Sequence, residues 1–263
     1  MSGNPTIGLE IKLPIGVEVD GVRHNRMFID EMCGVDEENL ASPTVRNNSS
    51  KANTVLLQRL IQSIPGLLET KDNRYGLIPD ELVRNMYQAD RDAAVIGMLQ
   101  QSPNPTNDEV ATCPWCQTQQ PPRHVDLREL GIKEWPADKA AEFPIELRRG
   151  VMEDGVTYTS GFFRFPKGKD VEEVGSVQGN MADAQTRLYF RCLNINTDHF
   201  ILSKEHVRQM SKYDRDYLGF MLQKHAPGYE TTYETQCVGC GKKIEGSIDI
   251  AAFFDTTRDF NFG

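Results

Sequence analysis

The chain has no excess of basic charge. Its 263 residues carry 29 Lys and Arg against 38 Asp and Glu, a formal net charge of −9. The densest basic spots, Arg148-Arg149 and Lys242-Lys243, are only pairs. A general electrostatic grip on nucleic acid needs clustered Lys and Arg, so that class of function is disfavoured. No stretch approaches the roughly 20 apolar residues of a membrane span. The opening, MSGNPTIGLEIKLP, lacks the basic segment and apolar core of a secretory leader. Also missing are a phosphate-cradling glycine loop, a G-x-S-x-G elbow, an H-E-x-x-H pair and a dinucleotide fingerprint. There are only two Trp, and with no basic groove beside them Trp115 and Trp135 read as packing residues rather than a base-stacking platform. The expected compartment is a reducing cytoplasm, where six cysteines serve as thiols or metal ligands rather than a disulfide frame.

What is present is a stretch that occurs twice. Residues 81–116 and 205–240 align at a constant shift of 124 without a gap, with ten identities in 36 positions. The shared residues include Arg84/Arg208, Met86/Met210, the triplets Asp90-Arg91-Asp92 and Asp214-Arg215-Asp216, Cys113/Cys237 and Cys116/Cys240. Self-similarity at a fixed offset points to repeated architecture. The expected fold is α+β, with two related halves, 1–130 and 131–263, each ending a helical segment in a cysteine pair.

Residues 7–32 alternate as two or three strands with tight turns, and 41–53 form a polar loop. Apolar residues from Val55 to Ile64 fall at helical spacing behind Asn53 as N-cap, predicting a helix over 54–64. Pro79 opens the next helix, and Asp90 caps a further one, apolar nearly all round and therefore buried, to about Gln101. His124–Leu130, FPIELRR, VTYTSGFFRF and LYFRCL at 188–193 have strand character, with a polar interval at 166–186 where the halves do not match. The D-R-D triplets read as helix caps and ion pairs, with Arg91 and Arg215 bridging to carboxylates between the halves.

Zinc takes four soft or borderline ligands in a tetrahedron, and a C-x-x-C turn supplies two thiolates to one side of it. Two such turns complete the shell, so Cys113, Cys116, Cys237 and Cys240 are the candidate ligands of one structural zinc shared between the halves. CVGCGKK has the form of a zinc-ribbon knuckle in which a Gly after the second Cys turns left-handed around the metal. CPWC fits less well, because Gln117 stands in that place. Free thiols are the plain alternative. A dithiol oxidoreductase is a sharper one, but it wants the first Cys at a helix N-terminus, and QTQQPPR is a poor helix start. Cys33 and Cys192, among apolar neighbours, read as small buried residues. His124 is a possible extra ligand in the first half without a counterpart in the second.

The order of features has a family likeness. An early strand with Leu13-Pro14-Ile15-Gly16 is followed by a polar loop, an apolar helix, Asp90-Arg91 opening a second apolar helix, Cys113-x-x-Cys116, and a Val125-Asp126-Leu127 strand. This resembles the baseplate hub assembly and tail assembly proteins of contractile-tailed bacteriophages, over about the first 130 residues and again in the second D-R-D-to-cysteine block. The resemblance implies a non-enzymatic structural or assembly protein. Its partners would be other tail or baseplate proteins, with no small-molecule substrate and no nucleic acid. It would act in the host cytoplasm or in the virion tail. A cytoplasmic zinc-ribbon adaptor associated with nucleic acid is the alternative.

Overall fold

The computed structural model describes residues 8–42, 45, 48–69, 76–175 and 180–250. Parts of the expected polar loop (43, 44, 46 and 47) and polar interval (176–179) lie outside them. The fold is mixed α+β, and every strand pair is antiparallel.

In the first half, β1 (Leu9–Val19) turns at Asp20-Gly21 into β2 (Val22–Ile29). Both turn residues have positive φ, the conformation a two-residue hairpin needs to match strand twist. Then come α1 (Gly34–Ala41), α2 (Ser49–Leu60), β3 (Ile61–Ser63), α3 (Asp80–Asn85) and α4 (Gln88–Leu99). A hairpin of β4 (Thr106–Glu109) and β5 (Arg123–Asp126) carries the first cysteine turn, and β6 (Ile132–Lys133) follows. After residue 140 the same order of elements recurs. β7 (Glu142–Glu153) turns at Asp154-Gly155, again both at positive φ, into β8 (Val156–Arg164). Next are α5 (Gly168–Gly175), α6 (Met181–Cys192), β9 (Leu193–Asn194), α7 (Lys204–Gln209) and α8 (Lys212–His225). The chain closes through β10 (Gly228–Tyr229), β11 (Thr232–Gln236) and β12 (Lys243–Ser247).

Several sequence expectations need correction. The first long helix runs 49–60, because Asn48, not Asn53, accepts the Lys51 N–H as its cap. Residues 61–63 leave it to pair with β2. LYFRCL is not a strand: its residues end α6, and only Leu193 and Asn194 pair with β8. Short apolar runs are ambiguous between helix and strand, and here Asn180 caps the Asp183 N–H and decides for helix. The polar interval therefore holds helices where mismatch was expected.

Each three-stranded sheet packs against its own helices. Ile11, Met27, Ile29, Leu57, Ile61, Val83 and Ala94 form one core; Phe143, Ile145, Phe163, Tyr189, Val207 and Leu218 form the other. Ile15 and Tyr87 cross over and bury in the second core. The halves also meet through backbone bonds from Gln88 N–H to the Pro166 carbonyl (2.8 Å) and from Gly168 N–H to the Met86 carbonyl (2.9 Å), and the segment that joins them touches both, Trp135 N–H bonding the Pro14 carbonyl (2.8 Å) and β6 pairing with β10.

The expected caps Asp90 and Asp214 do something else. Each lies inside its helix and reaches out to a strand. In β1, residues 13–16 face only Asn25, and in β7 residues 147–150 face only Thr159, so both strands bulge by the same four-against-one mismatch. The bulge frees backbone N–H groups that the ladder cannot satisfy. Asp90 accepts them from Ile15 (2.8 Å) and Gly16 (3.0 and 3.1 Å); Asp214 accepts them from Arg148 (2.7 Å), Arg149 (3.1 Å) and Gly150 (3.2 Å). Gly16 and Gly150 turn at φ 99° and 70°, which only glycine adopts freely.

The arginine beside each Asp ties the same helix to the preceding one. Arg91, fully buried, donates to the Ser50 carbonyl (2.5 Å) and Thr54 Oγ1 (2.6 Å) in α2. Arg215 donates to the Ala182 carbonyl (3.2 Å) and Thr186 Oγ1 (2.9 Å) at the corresponding places in α6. The expected bridge to a carboxylate between halves is present for Arg91, 3.8 Å from Glu172, whereas the acceptors that Arg215 reaches among the described residues are neutral.

Burial pushes the Asp90 carboxyl up to about 7, against the lowering pull of the Ile15 and Gly16 N–H groups. A folded value above the unfolded one contributes stability that is complete below the ordinary 3.8 and is lost as pH rises through about 7. Asp90→Ala, which leaves the bulge N–H groups buried without an acceptor, is expected to cost about 2–4 kcal/mol. Asp90→Asn should cost less, and the stability advantage of wild type over Asp90→Asn should shrink as pH rises from 5 to about 7. Chemical denaturation of the three proteins across that range measures both.

Candidate metal centre

The β4–β5 and β11–β12 hairpins present their tips to each other, one from each half. The tips have the same backbone plan. Cys113 donates its N–H to the Thr118 carbonyl and accepts from Gln117 N–H, both at 2.9 Å. Cys237 donates to Lys242 (2.9 Å) and accepts from Gly241 (2.8 Å). Gly241 has φ 69°, and Gln117 adopts φ 59°, so the residue that looked ill-suited takes the same left-handed turn. A non-glycine residue accepts that conformation at a cost of about 1 kcal/mol or more.

This plan brings all four predicted ligands together. The sulfurs of Cys113, Cys116, Cys237 and Cys240 lie within 4.8 Å of one another. Two of the pairs that span the halves are Cys113 to Cys240 at 3.8 Å and Cys116 to Cys237 at 3.5 Å. A tetrahedral ion with metal–sulfur bonds of about 2.3 Å puts its sulfurs about 3.8 Å apart. Cys113 and Cys237 are buried and pack with Ile244, while Cys116 and Cys240 are exposed.

The surroundings favour thiolate at two of the four. Burial raises the Cys237 thiol, but the N–H groups of Cys240 and Gly239 and the neighbouring thiols outweigh it and bring it down to about 6. The Thr118 hydroxyl and N–H lower Cys116. Cys240 moves the other way, to about 11, because desolvation and the three neighbouring sulfurs outweigh the lowering bond from Lys242 N–H. Thiols this close cannot all ionise without a cation among them. The set therefore suits a metal that binds soft sulfur ligands.

Gln120 was not visible as part of this site. It is buried, donates Nε2 to the Cys237 sulfur (3.4 Å), and accepts the Val238 N–H on Oε1 (3.0 Å), bridging the two tips with one amide. Gly239 is a second such residue, since a Cβ there would meet Thr118 Oγ1 at 2.5 Å. Polar residues beside a cysteine turn carry no sequence signal that separates Gln120 from Gln117 or Gln119.

Other candidates fall outside the cluster. His124 pairs with Asp108 (3.0 Å) across its own hairpin. Cys192 is buried at the end of α6, its thiol pushed up to about 12 by desolvation, and Cys33 caps α1. Neither Cys113 nor Cys237 stands at a helix N-terminus. Trp135 packs edge-on against Phe165 and donates to the Ala140 carbonyl (2.8 Å), as expected of a packing residue. Trp115 does not: it is 64% exposed at the first tip, with Lys242 4.7 Å above its ring. No helix among the described residues is long and apolar enough to cross a membrane.

No protein-family model, no curated protein and no solved structure matches the chain.

Gln120→Ala should weaken metal retention roughly 10- to 100-fold, the usual effect of removing a group that orients a ligand. Competition with a graded chelator measures it, and unchanged retention would show that the amide does not support the site.

Proposed function

We propose that the four cysteines hold one structural zinc in a zinc-ribbon-like centre split between two halves related by internal duplication. The observation that carries this reading is the four sulfurs drawn from two hairpins to near-tetrahedral separations. Supporting the duplication are the aligned D-R-D blocks, the recurring order of elements and the two identical strand bulges, each held by its own Asp. Four thiolates close the coordination shell and leave no position for water or substrate, so the metal would hold structure without doing chemistry. Its binding free energy, about 10 kcal/mol or more for structural zinc, would add directly to folding.

The biological reading is a non-enzymatic structural or assembly protein of a contractile phage tail, in the hub region of the baseplate. It rests on the likeness of the first 130 residues to that family. The residues behind the likeness depend on each other physically: Ile15 and Gly16 of the L-P-I-G segment are held by Asp90 of the Asp90-Arg91 pair. In this setting the protein would meet other tail or baseplate proteins, in the host cytoplasm and in the tail.

Protein purified without chelator should contain one zinc per chain, and Cys113→Ser or Cys237→Ser should abolish it. Chelation should lower the melting temperature by well over 10 °C, given how large a share of folding energy such a site supplies. Two zincs or none per chain would overturn the shared site. For the phage reading, genes for tail tube, tape measure or baseplate proteins should flank this one; a metabolic operon would overturn it.

A further inference from the structure

The two halves differ in what covers their arginines. In the first half, α5 lies across α2, α3 and α4 and brings in Glu172. Its carboxylate contacts Arg84 Nε (2.9 Å), Arg91 (3.8 Å) and the Thr54 hydroxyl, while its carbonyl accepts Asn48 Nδ2 (2.9 Å). At the start of α5, Gly168 donates its N–H to the Met86 carbonyl, and a Cβ there would lie 1.7 Å from Arg91 Nη1. A glycine is therefore required for this helix to seat on that arginine.

In the second half the corresponding residues are Met210, Arg208, Arg215 and Thr186, and no helix among the described residues seats on them. Together with Asn180, Asp183, Lys204 and Glu205, the last three line an open groove of about 720 Å³. Arg208 is 73% exposed and among the described residues pairs with Glu205, on its own helix, at 3.4 Å. The guanidinium of Arg215 reaches only neutral acceptors among the described residues.

The helix that would match this groove as α5 matches the first one is α1, which stands in the first half where α5 stands in the second. The two begin alike, Gly34-Val-Asp-Glu-Glu38 and Gly168-Lys-Asp-Val-Glu172, with the first Gly, the Asp and the last Glu in common. Glu38, at the position of Glu172, is exposed. Gly34, at the position of Gly168, has nothing within 4 Å of where its Cβ would stand. Its φ lies outside the left-handed range as well, so no local reason for a glycine appears. Gly34 to Glu38 thus carries the seating features of α5 with nothing for Gly34 and Glu38 to seat on among the described residues, and the second half carries the seat.

We propose that α1 of a second copy of this chain docks in the Arg208–Arg215 groove, Glu38 taking the place that Glu172 takes within the chain. The contact is head-to-tail, a different surface from each copy, so it propagates into a ring or a filament rather than closing as a two-fold dimer. It rests on the related-halves part of the proposed function and is independent of the metal.

The test is sedimentation of the intact, metal-loaded chain over a wide concentration range, with zinc content measured on the same samples. Wild type should form species larger than a dimer, reversibly and more weakly in high salt. Glu38→Arg and Arg208→Glu, both at exposed positions, should each weaken association roughly tenfold or more, and the double swap in one chain should restore it. Monomer at every concentration in zinc-containing protein overturns the inference and leaves the metal reading intact. Association indifferent to both single variants, or weakened by both without rescue in the double, also overturns it. So does binding of a nucleic acid oligomer to the groove in place of self-association.

Discussion

The fold depends on a carboxylate buried against a strand bulge. A strand that departs from its ladder for four residues exposes N–H groups inside the protein, and each left unmet costs about 1–3 kcal/mol. Asp90 and Asp214 meet them from the helices packed against the sheets. The next residue, Arg91 or Arg215, then fastens the same helix to the one before β3 or β9. Two adjacent side chains therefore set the position of three elements, and they do so in both halves. The hydrophobic cores supply most of the driving force, but they do not specify orientation as these bonds do.

Much of this was legible in the sequence, and what was missed has identifiable causes. The Asp-Arg-Asp triplets stood out because α3, α4 and the cysteine turn keep a constant spacing of 124 residues. Their role did not, because an Asp ahead of an apolar helical run is first of all a cap, and only the distant bulge reveals its other use. The hairpins carry their own match, Val17-Glu-Val-Asp-Gly-Val22 against Val151-Met-Glu-Asp-Gly-Val156, but at a shift of 134. The stretch from β3 to α3 is longer than that from β9 to α7 and accounts for most of the change of register, so a single offset finds one block and hides the other. The same effect hid α6 behind a polar interval, although its cap and hydrophobic residues are ordinary.

The cysteine cluster was legible for a chemical reason. Thiolate pairs have few structural uses in a reducing compartment, and two equivalent pairs in one chain invite a shared ion. Gln117 shows the limit of residue-type rules: its backbone follows the turn that Gly241 makes, at some strain. Gln120, which bridges the tips, shows the opposite limit, since a side chain with an ordinary sequence context has a specific place in three dimensions.

The cysteine pairs are separated by 120 residues, Cys116 to Cys237. During synthesis at about 5–20 residues per second, the first pair leaves the ribosome roughly 6–25 s before the second. For that interval the first hairpin has only two of the four cysteines. The four-cysteine set can bind a shared ion only after Cys240 has followed Cys113, so metal occupancy would report that both hairpins have been made. A chain cut short before Cys237 keeps one cysteine pair without its counterpart, chemically distinct from a chain that carries both.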